Sequence, residues 1–176
     1  MTSVVFSIGS NLGDRADHLR FAVRRLAELG EVAAVSGVYE TPPWGDTEQP
    51  AYYNAVVLMT GEHSVEEWLL HAQRIEHEAG RVRHQARRYS PRTLDVDLVA
   101  AWTGEGTPVL RTTPELTLPH PHAHQRAFVL RPWLEVQPYA QLPGHGWVND
   151  LVLADPMAAE VAAMTALPEV RLEVES

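Results

Sequence analysis

Asp95 and Asp97 stand two residues apart in the run Leu94-Asp95-Val96-Asp97-Leu98, and residues 81–92 just upstream hold five arginines and no acid. In a strand, Leu94, Val96 and Leu98 share one face and the two carboxylates share the other, about 7 Å apart along the chain. The apolar face implies a core strand. Hard carboxylate oxygens beside a basic stretch suit Mg2+, which takes one or two carboxylates, keeps several waters and shares substrate phosphates. Two such ions can be bridged by one carboxylate pair. Magnesium, arginine and carboxylate are the recurring parts of phosphoryl transfer, and arginine supplies a bidentate phosphate clamp. The bland alternative for Asp-x-Asp is a solvated strand face.

Three further groups of residues could do chemistry. Gln73 and Glu76, at i and i+3, share a helix face close in sequence to Arg83, where they would meet the sugar or base of a nucleotide or form an ordinary polar face. The stretch Thr41-Pro42-Pro43-Trp44-Gly45 through Tyr52-Tyr53-Asn54 combines stiff backbone, aromatic surface and an amide. That equipment suits a flat heterocycle, although the tyrosines also fit a plain core strand. His120, His122 and His124 lie near Arg126. A phosphate contact from His120 and Arg126 explains them more economically than zinc, because no helical i, i+4 spacing gathers them.

These groups need elements to hold them. Residues 4–9 read as a buried strand, and Asp14 as the N-cap of a helix carrying Leu19, Val23, Leu26 and Leu29. Residues 32–41 read as one Val-rich strand and 52–60 as the next. Ser64 and Glu67 form a capping box before the stripe Val65, Trp68, Leu69, Ala72, Ile75 and Ala79, and Gly80 closes that helix. Residues 94–102 form the Asp-x-Asp strand and 127–136 a further helix. The order β-α-β-β-α-β predicts an α+β, ferredoxin-like fold with a mainly antiparallel sheet and helices gathered on one side. Residues 1–176 read as a single domain, with 139–176 a C-terminal extension holding a short helix within 156–167 and an alternating segment at 170–174.

Composition removes other mechanisms. All 14 basic residues are arginine and cysteine is absent, which excludes Schiff-base lysines, lysine phosphate loops, thiol nucleophiles and thiolate metal sites. The formal net charge of -9 opposes nucleic acid and anionic membranes, while the compact arginine loop attracts a small polyanion and is long enough to act as a closing lid. The N-terminus lacks a basic signal-peptide head and no apolar run approaches the roughly 20 residues of a span, so a cytoplasmic protein is expected; it is read as a monomer acting on small molecules. Two other classes stay open on the residues alone: a zinc hydrolase built on the histidines, and a module binding nucleotide or RNA through the arginine loop.

The run Arg88-Tyr89-Ser90-Pro91-Arg92-Thr93-Leu94-Asp95-Val96-Asp97-Leu98 is joined by Ile8-Gly9-Ser10-Asn11-Leu12-Gly13, Tyr39-Glu40-Thr41-Pro42-Pro43, Gln73-Arg74-Ile75-Glu76 and Leu118-Pro119-His120. In these motifs and their order the chain resembles the 6-hydroxymethyl-7,8-dihydropterin pyrophosphokinases of folate biosynthesis. The resemblance implies Mg-dependent transfer of pyrophosphate from ATP, the co-substrate, to 6-hydroxymethyl-7,8-dihydropterin, releasing AMP. It implies that Asp95 and Asp97 hold two Mg2+ ions and act in catalysis with Arg83 and Arg92. It implies a pterin site of Thr41, Pro42, Trp44, Tyr52, Asn54 and Phe128. The implied ATP contacts are Gln73, Glu76, Arg81, Arg83, Arg88, Arg92, Leu98, Thr117, His120 and Arg126.

Overall fold

The computed structural model describes residues 1–42, 48–80 and 93–173. In chain order it contains β1 (Thr2–Ser10), α1 (Arg15–Ala27), β2 (Glu31–Val35), β3 (Val38–Thr41), β4 (Tyr52–Gly61), α2 (Val65–Glu78) and β5 (Asp95–Thr103). The short strands β6 (Arg111–Thr112) and β7 (Thr117–Leu118) follow, then α3 (Ala127–Val136), β8 (Gln141–Leu142), β9 (Gly146–Trp147), α4 (Val148–Leu153), α5 (Met157–Ala162) and β10 (Thr165–Leu167).

β1 lies between β4 and β5 and is antiparallel to both. β2 and β3 both pair with β4 on its other side, so the order runs β5, β1, β4, then β2 with β3. The strands flanking α1 are thus split by β4, and those flanking α2 by β1, which is the interlocked arrangement expected of a ferredoxin-like core. Helix entry follows local chemistry. The Asp14 side chain accepts from the N–H of Asp17, and Ser64 and Glu67 form both halves of their capping box. Gly80 follows α2 at φ +82, where a side chain would be strained.

Two expectations are corrected. The single strand read at 32–41 breaks at Ser36-Gly37. The N–H of Ser36 donates to the Val56 carbonyl, while its hydroxyl oxygen accepts from the Val56 N–H, both at 2.9 Å. A side-chain oxygen thereby stands in for a backbone carbonyl, and the chain kinks without losing β4. Helices also cover both faces of the sheet. Val4, Phe6 and Ile8 pack with α1 and α2, whereas Val5, Val56, Val99 and Ala100 pack with α3, α4 and α5. Continuous burial of the central strands explains why β1 reads as an apolar run with little alternation.

The extension differs from its reading as well. α5 is the short helix expected within 156–167, but α4 had no counterpart in the sequence pattern, and the strand is β10, antiparallel to β3. Residues 170–173 are not a strand. The chain beyond β10 stays against the core of α1 and α2, where Leu172 is buried and the Arg171 carbonyl accepts from Arg20 Nε at 2.9 Å. Among the described residues no helix is long and apolar enough to cross a membrane.

Candidate active site

Strand register brings the chemistry together. Gly9 lies opposite Asn54 on β4 and Asp95 on β5, and Ser7 lies opposite Val56 and Asp97. Leu94, Val96 and Leu98 are buried in the α1–α2 core, so both carboxylates project from the other face, as their spacing predicts. There they border a cavity of about 280 Å³ together with Thr41, Pro42, Tyr52, Asn54 and Phe128. Five of the six residues that the resemblance implies for a pterin site thus share one cavity. Trp44 lies outside the described residues.

Asn54 is held in one orientation. Its Nδ2 donates to Thr41 Oγ1 at 2.6 Å in a buried pair, which turns Oδ1 over Gly9. A Cβ at Gly9 would stand 2.5 Å from that oxygen. Gly9 is therefore bare so that the amide can lie across β1, a role its place in a turn motif did not reveal. Phe128 reaches the cavity from the first turn of α3, and the Arg126 guanidinium sits 5.4 Å from its ring centroid.

A second cavity, of about 330 Å³, adjoins the first. Gln73, Glu76, Leu98 and Thr117 border it, with Leu69 and Leu116 adding apolar surface. Asp97, His120 and Pro121 border both cavities, so one carboxylate and one imidazole stand at their junction. Glu76 has an additional role. It is buried, and its Oε2 accepts from the backbone N–H of Val96 at 3.0 Å. β5 is an edge strand, and this bond pins it to α2 at the residue between the two aspartates. An acid beside the apolar stripe of an amphipathic helix was the available signal. Ser7 also lines the first cavity and was missed, and His122, read only as part of the zinc alternative, lines it too.

His120 is built as a neutral donor. Its backbone N–H donates to the Val99 carbonyl at 2.8 Å, and its Nδ1 accepts from the His122 N–H at 3.1 Å, which leaves the ring proton on Nε2. Burial first, then the charges of Arg126 and His122, push its pKa down to about 4. Because the folded value is depressed, this group's share of stability is present above the ordinary value of 6.5 and declines as pH falls toward 4. In NMR titration of the ligand-free protein, the His120 ring should keep its neutral shifts down to about pH 5. A midpoint above 6 would contradict this geometry.

The zinc alternative loses its ligand set. His124 stacks on His145 with ring centroids 4.1 Å apart and planes 9° from parallel, and among the described residues no three His, Asp or Glu side chains gather for a metal. Arg81, Arg83, Arg87, Arg88 and Arg92, with the lid they were expected to form, lie outside the described residues.

A model of the 7,8-dihydro-6-hydroxymethylpterin-pyrophosphokinase family matches residues 5–138. Over 148 residues the chain is 49% identical to the 2-amino-4-hydroxy-6-hydroxymethyldihydropteridine pyrophosphokinase of Mycobacterium tuberculosis, covering 81% of this chain and 76% of that one. The Methylorubrum extorquens protein of the same name is 39% identical over 162 residues, covering 91% and 98%. Among solved structures, wild-type Plasmodium falciparum HPPK-DHPS superposes with a TM-score of 0.64 at 12% identity, covering 94% of this chain and 47% of that one. A crystal structure of HPPK-DHPS in complex with substrates gives 0.65 at 11%, covering 94% and 46%. At such identity the likeness shows the fold alone, and this chain spans about half the length of those two proteins.

Proposed function

The chain belongs to the 7,8-dihydro-6-hydroxymethylpterin-pyrophosphokinase family, and from that premise we propose that its two adjoining cavities take the pterin and ATP, so that the reacting groups meet at Asp97 and His120. It is a pyrophosphokinase of folate biosynthesis. The observation that carries the assignment of cavities is their shared border of Asp97, His120 and Pro121. A two-substrate transfer needs that arrangement, because the donor phosphate and the acceptor hydroxyl must come within about 3.5 Å.

In the first cavity, Tyr52 and Phe128 supply aromatic surface for the ring. Asn54, with Nδ2 committed to Thr41, presents Oδ1 to ring N–H groups. Thr41, Pro42 and Trp44 complete the pterin site. In the second cavity, Leu98 packs on the adenine while Gln73, Glu76 and Thr117 take the polar groups of the nucleoside. His120 Nε2–H and Arg126 reach phosphate oxygens, and Arg81, Arg83, Arg88 and Arg92 neutralise the triphosphate.

The carboxylates of Asp95 and Asp97 are a hard-oxygen pair in a chain without thiolates, and they open into a cavity with room for water and phosphate. That donor set fits Mg2+, and we assign two ions to it; when bound they neutralise charge on the phosphates and orient them. The pterin hydroxyl oxygen attacks the β phosphorus, the bond from that phosphorus to the α–β bridging oxygen breaks, AMP leaves and the hydroxyl proton passes to solvent. Asp95, Asp97, Arg83 and Arg92 are the catalytic set. Residues 1–176 work as one domain and as a monomer on small molecules, without nucleic acid or membrane.

A product assay with ATP, Mg2+ and 6-hydroxymethyl-7,8-dihydropterin tests this reading. AMP and the pterin diphosphate should appear in equal amounts, dependent on Mg2+. ADP as the nucleotide product, or no turnover, would overturn it.

A further inference from the structure

Glu135 sits at the end of α3 remote from Phe128, and its carboxylate reaches the strands opposite. The backbone N–H of Gly37 donates to Oε2 at 2.7 Å, and the Tyr39 hydroxyl donates to Oε1 at 2.6 Å. These donors straddle Val38, directly after the kink between β2 and β3. Glu135 itself is exposed, but its partner is not: Tyr39 is 6% exposed, with the Arg131 guanidinium 5.7 Å from its ring centroid. Burial, followed by the bond to Glu135, pushes the phenol up to about 12, so it remains a donor at any working pH. Gly37 permits the approach, since a Cβ there would come within 3.3 Å of Glu135 Oε1.

The geometry links this clamp to the first cavity from both sides. On the sheet, Tyr39 is the cross-strand partner of Asn54, and Thr41, next on the same face of β3, is the partner of Tyr52. Thr41, Tyr52 and Asn54 all border the cavity. On the helix, α3 is a rod about 15 Å long, fixed to β3 near one end and offering Phe128 at the other. A flat ring held between two walls requires contacts of about 3.5 to 4 Å on each face, so a shift of the rod alters both.

We propose that Glu135 is a positioning residue for the pterin: by tying α3 to Gly37 and Tyr39 it sets the gap between Phe128 and the wall of Thr41, Tyr52 and Asn54. This rests on the assignment of the first cavity to the pterin. The effect of the clamp falls mainly on the pterin, because the second cavity is bordered chiefly by α2, β5 and β7, and ATP meets α3 only through Arg126 at its N-cap.

The test is steady-state kinetics on the full chain carrying Glu135→Ala, Glu135→Gln, Tyr39→Phe or Asn54→Ala, with melting temperatures measured alongside. Glu135→Ala should raise the pterin KM about fivefold and leave the ATP KM within about twofold. Glu135→Gln should restore most of the loss, because its carbonyl oxygen accepts from Gly37 and its amide donates to the Tyr39 oxygen. Tyr39→Phe keeps the core volume and should raise the pterin KM about threefold; it carries the test if Glu135→Ala does not fold. A pterin KM moved by Asn54→Ala but unmoved by both clamp variants overturns the clamp alone, as does an equal rise in both KM values. A pterin KM unmoved by Asn54→Ala overturns the cavity assignment and the clamp with it.

Discussion

Alanine at Asp97 should lower kcat/KM for pyrophosphoryl transfer by about 10³-fold or more, with alanine at Asp95 close behind. Both side chains project from β5 on the face opposite Leu94, Val96 and Leu98, so shortening them leaves that apolar anchor in place. On the proposed function, what is lost is the pair of hard oxygen donors that would face the triphosphate. A loss of about 4 kcal/mol in transition-state stabilisation corresponds to that factor. Asp97→Asn keeps the shape and removes the charge, and it should fall nearly as far. Melting temperatures within a few degrees of the parent would show that the fold is retained. Binding of Mg-ATP, followed by calorimetry, should weaken in parallel. Activity within about tenfold of the parent in both alanine variants would remove the carboxylates from the catalytic set.

Asn54→Ala should raise the KM for the pterin by about 10²-fold and leave that for ATP nearly unchanged. The asymmetry follows from the two cavities, since Asn54 borders the first and not the second. Its amide is oriented before any ligand arrives, through Nδ2 to Thr41, so the recognition of ring N–H groups costs little reordering. Gly9→Ala provides an independent route to the same defect. A methyl group there would collide with Asn54 Oδ1 and turn the amide away without altering its chemistry. The two substitutions should therefore be strongly non-additive when combined. Additive effects would mean that Gly9 acts through something other than Asn54.

Those two predictions draw on features of unequal visibility in the sequence. Asp95 and Asp97 were legible because strand periodicity alone separates their face from that of Leu94, Val96 and Leu98. Asp14, the Ser64 and Glu67 box and Gly80 were legible because caps are local, involving partners within a few residues. The break at Ser36 was not, since it depends on the N–H of Val56, twenty residues onward, donating to a hydroxyl oxygen in place of a carbonyl. Nor was the placement of α3. Its amphipathic pattern shows that one side is apolar but not which face of a sheet it meets, and here both faces of β1, β4 and β5 needed cover.

β10 illustrates the same limit at the edge of the sheet. A strand of three residues exists because β3 offers an open edge, and nothing within Thr165–Leu167 announces it. Glu76 was read as a polar helix residue facing a nucleotide, and its burial against Val96 appears only when α2 is laid on β5. The pocket residues Tyr52, Asn54 and Phe128 were assigned through resemblance. Composition and spacing pointed to a heterocycle, and register and the approach of α3 place the three side chains around one cavity.

On the proposed function, two cavities meeting at Asp97 and His120 hold the two substrates. The most direct test is a crystal structure of the protein with Mg2+, the pterin and an ATP analogue carrying a methylene group between the α and β phosphorus atoms. The pterin should lie between Tyr52 and Phe128 with its ring edge on Asn54 Oδ1, and the adenosine should lie against Leu98 and Thr117. The triphosphate should cross the shared border, with metal on Asp95 and Asp97 and the β phosphorus nearest the pterin hydroxyl. A pterin outside the Asn54 cavity, or metal bound without either aspartate, would overturn this assignment of the two cavities.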